Sequence, residues 1–142
     1  ALKECDGVYI ARCDDDDEWT PDHLSRLVAF AHAGGHEFVS AAHDGPDGKV
    51  PPYDVDGGKV GGVQTWVYRS YLRFFKFNPD CWRGRVNRVN DTDLQQRFRD
   101  AGVKMGYLDS VVAHVYPRPG EKTVGLAAYR ADETNKLREL AF

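Results

Sequence analysis

The stretch GVYIARCDDDDEWTP, residues 7–21, decides how the fold of this chain is interpreted. Its first part, residues 8–13, is short and largely apolar, which predicts a buried β-strand. After four aspartates, Thr20, Pro21 and Asp22 have the types expected of an N-cap, a first helical position and a first turn. The four carboxylates therefore follow the carboxyl end of a strand, where open α/β sheets bind their ligands.

The four aspartates, residues 14–17, repel one another unless a cation lies among them. Mg²⁺ and Mn²⁺ are held by one or two carboxylates together with substrate phosphate oxygens, so the run predicts a divalent-metal site. A solvated loop without a ligand is the alternative interpretation. An EF-hand is excluded, because counting from Asp14 places Trp19 and Ser25 where that motif needs Gly and Glu.

The composition is that of one globular domain, residues 1–142. Lys and Arg number 19 against 22 Asp and Glu, and the resulting net charge of −3 argues against a nucleic-acid-binding protein. No apolar run approaches the roughly 20 residues that cross a bilayer. The three cysteines lack CxxC spacing, which favours free thiols in a reducing compartment. His32 and His36 are separated by glycines and have no companion ligands, so no zinc site is predicted.

The helix that follows the acid run is predicted over residues 21–33, and Gly34-Gly35 ends it. Its apolar face has the spacing i, i+3, i+4 and i+7. The members of that face are Leu24, Leu27, Val28 and Ala31. Residues 37–42 predict a second strand, which a βαβ crossover would place beside the first.

The rest of the chain alternates irregular and periodic segments. Residues 43–62 predict an irregular excursion on the ligand side of the sheet, with a hairpin-type turn at Asp47-Gly48. The later predictions are a strand over 63–69, a short helix over 71–75 capped by Ser70, a loop over 78–89, a helix from Asp91 through Ala101 closed by Gly102, strands over 103–108 and 111–115, a turn-rich loop over 117–120 and a terminal helix over 125–142.

A second acidic group, Asp91 and Asp93, lies in the first turn of a predicted helix. One acidic group could bind a metal while the other accepts a proton from a hydroxyl. Capping of the helix N-terminus is the alternative. Capping is favoured for Asp93, and both interpretations stay open for Asp91.

Both acidic groups resemble motifs of family 2 glycosyltransferases, enzymes with the GT-A fold. Residues 7–24 are similar to the family's metal-binding segment, in which a strand ends in Asp-x-Asp. Asp14 and Asp16 match that motif, and Asp15 and Asp17 replace them if the register differs by one. Residues 90–97, Asn-Asp-Thr-Asp-Leu-Gln-Gln-Arg, resemble the family's acceptor-side motif Glu-Asp-x-x-Leu-x-x-Arg.

The chain also departs from the family pattern. Asn90 stands where Glu is usual, which bears on how an acceptor hydroxyl is positioned. Phe98 follows Arg97, so the Gln-x-x-Arg-Trp signature of processive synthases is absent and single addition is favoured. The resemblance covers about residues 5–120 and lacks the family's opening nucleotide-binding strands. We therefore expect the later, metal-side and acceptor-side portion of a larger enzyme.

The resemblance implies a partial GT-A fold, an α/β structure with a mixed, mostly parallel sheet and flanking helices. It implies inverting transfer of a sugar from a nucleoside-diphosphate sugar to a carbohydrate or lipid-linked acceptor, with Mn²⁺ or Mg²⁺ as cofactor, as in cell-surface polysaccharide biosynthesis. Asp16 would contact the metal, Asp14 would lie near the ribose and metal, and Asp91 would be the base. A cytoplasmic or membrane-peripheral enzyme is expected, either a homo-oligomer or one completed by an N-terminal half.

Further residues have two interpretations each. His114 follows a short strand where GT-A enzymes sometimes place a third metal ligand, and otherwise it is a hydrogen-bonding histidine. Arg118 and Lys122 either meet the diphosphate or are surface charges. Trp66 and Trp82 either stack on sugar rings or belong to the core.

Two other functions compete with glycosyl transfer. The missing opening portion suggests a non-catalytic, truncated GT-A module that binds a sugar, a nucleotide or a partner chain. A nucleotidyltransferase also uses acids at a strand end, but it usually carries a Gly-rich, basic phosphate loop near its start, and this chain has none.

Overall fold

A computed structural model describes residues 4–55, 57–83 and 88–116 of the chain. The strands are β1 (Tyr9–Ala11), β2 (Asp17–Trp19), β3 (Phe38–Gly45), β4 (Gly48–Val50), β5 (Tyr53–Val55), β6 (Gly58–Val60), β7 (Val67–Arg69) and β8 (Met105–Val115), and the helices are α1 (His23–Gly34) and α2 (Asn90–Asp100). Two short 3₁₀ turns, Val63–Thr65 and Ser70–Phe74, flank β7. Neither helix in these ranges is long and apolar enough to cross a bilayer.

The main sheet has the strand order β1-β7-β3-β8-β2, and β4 forms a hairpin with β3. It is a mixed sheet with flanking helices, as expected, but the prediction that it is mostly parallel is wrong. Only β3 and β8 pair in parallel among the described strands. The βαβ crossover does leave β1 and β3 running in the same direction, yet β7 returns antiparallel and occupies the position between them.

The strand before the acid run is shorter and less buried than the sequence suggested. It spans only Tyr9–Ala11, and Ile10 is buried while Val8 is 63% exposed. In the described part of the chain, β1 pairs with β7 alone, so it is an edge strand. The apolar run of residues 8–13 therefore has one paired edge rather than two.

Helix α1 begins at His23, two residues later than predicted. The backbone N–H of His23 donates to the Thr20 carbonyl (3.0 Å), so Thr20, Pro21 and Asp22 form a turn. The Thr20 hydroxyl donates to the Asp22 carboxylate (2.8 Å) and does not cap the helix. The predicted stop is confirmed, because Gly35 adopts the left-handed conformation (φ 59°) that ends many helices.

The two faces of β3 bury different helices, because successive strand residues point to opposite sides of a sheet. Val39 and Ala41 pack with α1, and Phe38 packs on the opposite side with α2. The α1 core contains Leu27, Ala31, Val39, Ala41, Val67 and Val112. The α2 core contains Ile10, Phe38, Val60, Trp66, Tyr68, Leu72, Leu94 and Phe98.

The described chain from residue 43 onward is more regular than predicted. Residues 43–62 contain the β3–β4 and β5–β6 hairpins, and Pro46-Asp47 turns the first of them. The strand expected over 63–69 begins as a 3₁₀ turn, and the two short strands expected after α2 form the single strand β8. The predicted helix from Asp91 is confirmed one residue earlier. The predicted loop over 117–120 and terminal helix over 125–142 lie outside the described residues.

Gly61 fixes the approach of the excursion to the sheet. A Cβ at this position would lie 1.8 Å from the Ala41 carbonyl oxygen, so only glycine fits. Its N–H donates to the Ser40 hydroxyl (3.0 Å), which satisfies two buried groups at the contact. The segment before β7 is therefore held against β3 by a backbone contact.

The two leucines of α1 test how this helix packs. Leu27 is fully buried against the sheet, whereas Leu24, predicted for the same face, is 45% exposed. We expect Leu27→Ala to lower the free energy of unfolding by about 2–5 kcal/mol and Leu24→Ala to change it by about 0.5 kcal/mol or less. Urea unfolding followed by circular dichroism measures both, and equal losses would contradict the assigned helix face.

Candidate active site

The acid run connects two strands that lie at opposite edges of the main sheet. It leaves β1 after Ala11, turns where the Asp17 N–H donates to the Asp14 carbonyl (3.2 Å), and enters β2. β2 pairs with the end of β8, and the Tyr116 N–H donates to the Asp16 carbonyl (2.9 Å). The aspartates thus span the turn and the first residue of an edge strand, fixed at both ends by backbone pairing.

Arg12 forms an ion pair with the first aspartate of the run. Its Nε and one terminal nitrogen donate to the two carboxylate oxygens of Asp14 at 2.8 and 3.0 Å. The guanidinium also lies over the Phe77 ring, 5.4 Å from its centroid. The side chains of Arg12 and Asp14 are 42% and 36% exposed. An ion pair this exposed contributes about 0.2–1 kcal/mol to the free energy of unfolding, so either partner can pair with another ion at little cost. Sequence reasoning missed this pair, although residues i and i+2 of an extended chain share a side.

Asp17, at the far end of the run, is half-buried. Burial raises the pKa of Asp17, and the neighbouring Asp16 carboxylate raises it further. Burial also raises the pKa of the Cys13 thiol, with contributions from Asp17 and Asp14. Cys13 is therefore held as a thiol rather than as a reactive thiolate. A bound cation would relieve the repulsion among these carboxylates.

The predicted metal ligands Asp14, Asp16 and His114 do not form a preassembled three-ligand site. No group of three or more His, Cys, Asp or Glu side chains in residues 4–55, 57–83 and 88–116 could hold an ion by itself. Mg²⁺ and Mn²⁺ at nucleotide sites need only one or two carboxylates, because phosphate oxygens and water complete the coordination. The acid run fits that kind of site, and it does not fit an all-protein cage.

His114 lies beside the acid run through the pairing of β2 with β8. It is the cross-strand partner of Glu18, and its Nδ1 is 3.6 Å from an Asp44 carboxylate oxygen. This contact between neighbouring strands is longer than a hydrogen bond, so the role of His114 stays a prediction. His114 is thus close to the run in the fold, and its described partner is Asp44.

The second acidic group opens α2, and its two members differ. Asp93 is buried and accepts a hydrogen bond from Arg97 Nε (2.9 Å), so its role is an ion pair within the helix rather than a cap. Asp91 is half-buried, and its carboxylate accepts the Thr92 N–H (2.7 Å). Burial raises the pKa of the Cys81 thiol, and the charges of Asp93 and Asp91 raise it further.

Lys76 and Phe77 link the two acidic groups. Phe77 lies under the guanidinium of Arg12, and the neighbouring Lys76 carbonyl accepts a hydrogen bond from Arg97. Arg97 in turn binds Asp93. A continuous set of contacts therefore runs from Asp14 to the first turns of α2.

A cavity of about 460 Å³ opens beside the start of the acid run. Its walls are mostly apolar, and Arg12, Cys13 and Asp14 form their polar part. The other lining residues are Cys5, Ile10, Ala11, Val63, Trp66, Tyr68 and Phe77. Sequence reasoning did not identify this cavity, because its walls come from two segments that are far apart along the chain, one ending at Asp14 and the other beginning at Val63.

The two predicted sugar-stacking tryptophans have different environments. Trp66 is 2% exposed, packs edge-to-face on Phe38 and donates its indole N–H to the Gly61 carbonyl (2.8 Å). Its ring belongs to the core, so stacking on a sugar is not its role. Trp82 is half-buried, with its indole N–H on the Pro79 carbonyl and the Arg83 guanidinium over its ring. Asn90 is the first residue of α2, and Arg118 lies outside the described residues.

The mixed sheet with its flanking helices is that of part of a GT-A fold. A family model described as "Glycosyl transferase family 2" matches residues 1–100, and the chain belongs to that family. Among solved structures, the crystal structure of S. aureus TarS 1-349 is similar in fold, with a TM-score of 0.55 and 15% sequence identity. The match covers 81% of this chain and 37% of that chain. No curated protein matches the sequence.

The raised pKa of Asp17 predicts a pH-dependent gain from removing its charge. Because the folded-state pKa lies above the unfolded value, Asp17→Asn should raise the free energy of unfolding at pH 7 by less than about 1 kcal/mol. The gain should vanish as the pH falls below about 3.9, where both states bind the proton. Urea unfolding at pH 7 and pH 3 measures it, with Asp47→Asn in the exposed hairpin turn as control. A gain that persists at pH 3 would contradict the assignment.

Proposed function

We propose that this chain carries the metal-side and acceptor-side half of an inverting, metal-dependent glycosyltransferase. The observation that carries the proposal is the set of contacts joining the acid run to the first turns of α2. Membership in glycosyl transferase family 2 supports sugar transfer as the reaction class. The proposed donor is a nucleoside-diphosphate sugar, and the proposed acceptor is a hydroxyl of a carbohydrate or a lipid-linked molecule.

In this proposal Asp14 and Asp16 hold a Mn²⁺ or Mg²⁺ ion that also binds the donor diphosphate. The ion supplies Lewis-acid stabilisation of the charge that develops on the leaving diphosphate. Burial is the main cause of the raised pKa of Asp17, and the adjacent Asp16 carboxylate adds a repulsion that a cation in the run would relieve. Asp15 is the alternative ligand if the register differs by one residue, and Asp17 is the less suitable one because it already belongs to β2.

Asp91 is the proposed base that takes the proton of the acceptor hydroxyl. Its carboxylate is half-buried at the start of α2 and accepts one described hydrogen bond, from the backbone of Thr92. Asp93, by contrast, is committed to Arg97 and holds the helix in place. Attack from the face opposite the diphosphate inverts the anomeric centre. Asn90, at the first position of α2, is proposed to orient the acceptor hydroxyl.

The metal role is tested by binding rather than by turnover. We expect Asp16→Ala to weaken Mn²⁺-dependent binding of a nucleoside diphosphate at least about tenfold, because a ligand of the ion is lost. Titration calorimetry of the purified chain with UDP, dTDP, GDP and ADP, with and without Mn²⁺, measures the effect. Asp47→Asn is the control. Unchanged binding by the Asp16 variant would remove Asp16 from the proposed site.

The base is tested separately from the metal. Asp91→Asn should lower sugar transfer about 10²–10⁴-fold and leave Mn²⁺-dependent diphosphate binding within about twofold of the wild-type value. Release of the free diphosphate from labelled donor sugars measures turnover. Wild-type chain that binds a diphosphate with Mn²⁺ but transfers no sugar would favour the non-catalytic module instead.

A further inference from the structure

We propose that Arg12 is an exchangeable counter-ion, which holds Asp14 in the free protein and turns to the diphosphate when a divalent ion takes Asp14. The proposal rests on the proposed function and adds a positioning residue to it. Arg12 would act on the donor diphosphate and on the metal ligand, and it would take no proton.

The geometry of the pair allows the exchange. Both carboxylate oxygens of Asp14 accept hydrogen bonds from Arg12, at 2.8 and 3.0 Å, so no oxygen of Asp14 is left without a cationic neighbour. An ion that binds Asp14 places its positive charge beside the guanidinium and competes with it for the same carboxylate. The two side chains are 42% and 36% exposed, so solvent can reach the pair and the exchange needs no opening of the core.

The contact with Phe77 keeps the guanidinium near the site after the exchange. The guanidinium carbon lies 5.4 Å from the ring centroid, and a cation over an aromatic face is attracted by the ring quadrupole. This contact does not use the N–H groups, which stay available to an anion. Arg12 also lines the cavity beside the acid run, so its released N–H groups lie where a ligand can enter.

The charges determine the direction of the exchange. A divalent ion on Asp14 repels the guanidinium, whereas a diphosphate offers paired oxygens that match its planar fork. Mn²⁺ alone therefore competes with Arg12 for Asp14. When a diphosphate is also bound, Arg12 binds the diphosphate and strengthens the complex. Loss of the guanidinium should move these two affinities in opposite directions.

The experiment compares wild type, Arg12→Gln and Arg12→Lys. We expect Arg12→Gln to bind Mn²⁺ alone about two- to fivefold more tightly, the range that an exposed ion pair accounts for. It should bind a nucleoside diphosphate with Mn²⁺ about tenfold more weakly, as expected for loss of a charged hydrogen bond. Manganese electron paramagnetic resonance measures the first affinity, and titration calorimetry with UDP, dTDP, GDP and ADP measures the second.

Two controls separate this effect from a general loss of charge or of folding. Arg73→Gln removes an exposed arginine that donates to the Cys5 carbonyl, and it should change neither affinity. Arg12→Lys keeps the charge and loses the fork, so it should weaken diphosphate binding and leave Mn²⁺ binding near the wild-type value. If circular dichroism shows that Arg12→Gln is unfolded, Arg12→Lys tests the proposal, and unchanged diphosphate binding by Arg12→Lys overturns it.

The possible failures are distinguishable. Wild-type chain that binds no diphosphate in the presence of Mn²⁺ overturns the proposed function and this inference with it. If the wild type binds the diphosphate, the exchange alone is overturned when Arg12→Gln changes the affinities for Mn²⁺ and for the diphosphate in the same direction. It is also overturned when neither affinity changes. Equal effects of Arg12→Gln and Arg73→Gln would also overturn it.

Discussion

The connection of β1 to β2 by the acid run is the constraint on which this structure depends. The two strands lie at opposite edges of a five-strand order, about 19 Å apart if the sheet were flat. The six steps from Ala11 to Asp17 reach at most about 21 Å when fully extended, and the turn at Asp14–Asp17 shortens that reach. The sheet must therefore curl. The pairing of β3 with β8 shifts register on both sides of Ala42, and such interruptions of the ladder are where strands bend and twist.

Much of the fold could be predicted from local patterns, and most errors came from contacts between distant segments. Gly35 ends α1 and Gly102, with φ at 77°, follows α2 as expected, because left-handed backbone positions have a local sequence signal. The position of β7 had no such signal. Its place between β1 and β3 depends on the return of the chain through Gly61. The crossover rule predicted correctly that β1 and β3 run in the same direction, but it did not predict that β7 lies between them. Leu24 was misplaced because the buried face is centred on His23, Leu27 and Ala31, and a buried histidine at that position has no apolar signal in the sequence.

The candidate site was predicted in outline, because its acidic groups are contiguous in sequence. What the sequence could not give was which charges are already paired. Asp93 is committed to Arg97, and Asp14 to Arg12, so carboxylates that look equivalent in the sequence have different chemical roles. The burial of Trp66 was equally hidden, since an aromatic residue before a strand has the same appearance whether it faces a ligand or the core. Phe77, which joins the two halves of the site, carries no motif at all.

The pairing of β1 with β7, and of β2 with β8, has a consequence for the order in which the protein matures. Both partners of the acid run lie far along the chain, and non-local pairings form slowly because the intervening loop must first be closed. A ribosome makes the aspartates near the beginning of this sequence, long before β8 exists to hold them. The chemistry-bearing segment is thus synthesised well before the strands that hold it, and it acquires its shape only after they are in place.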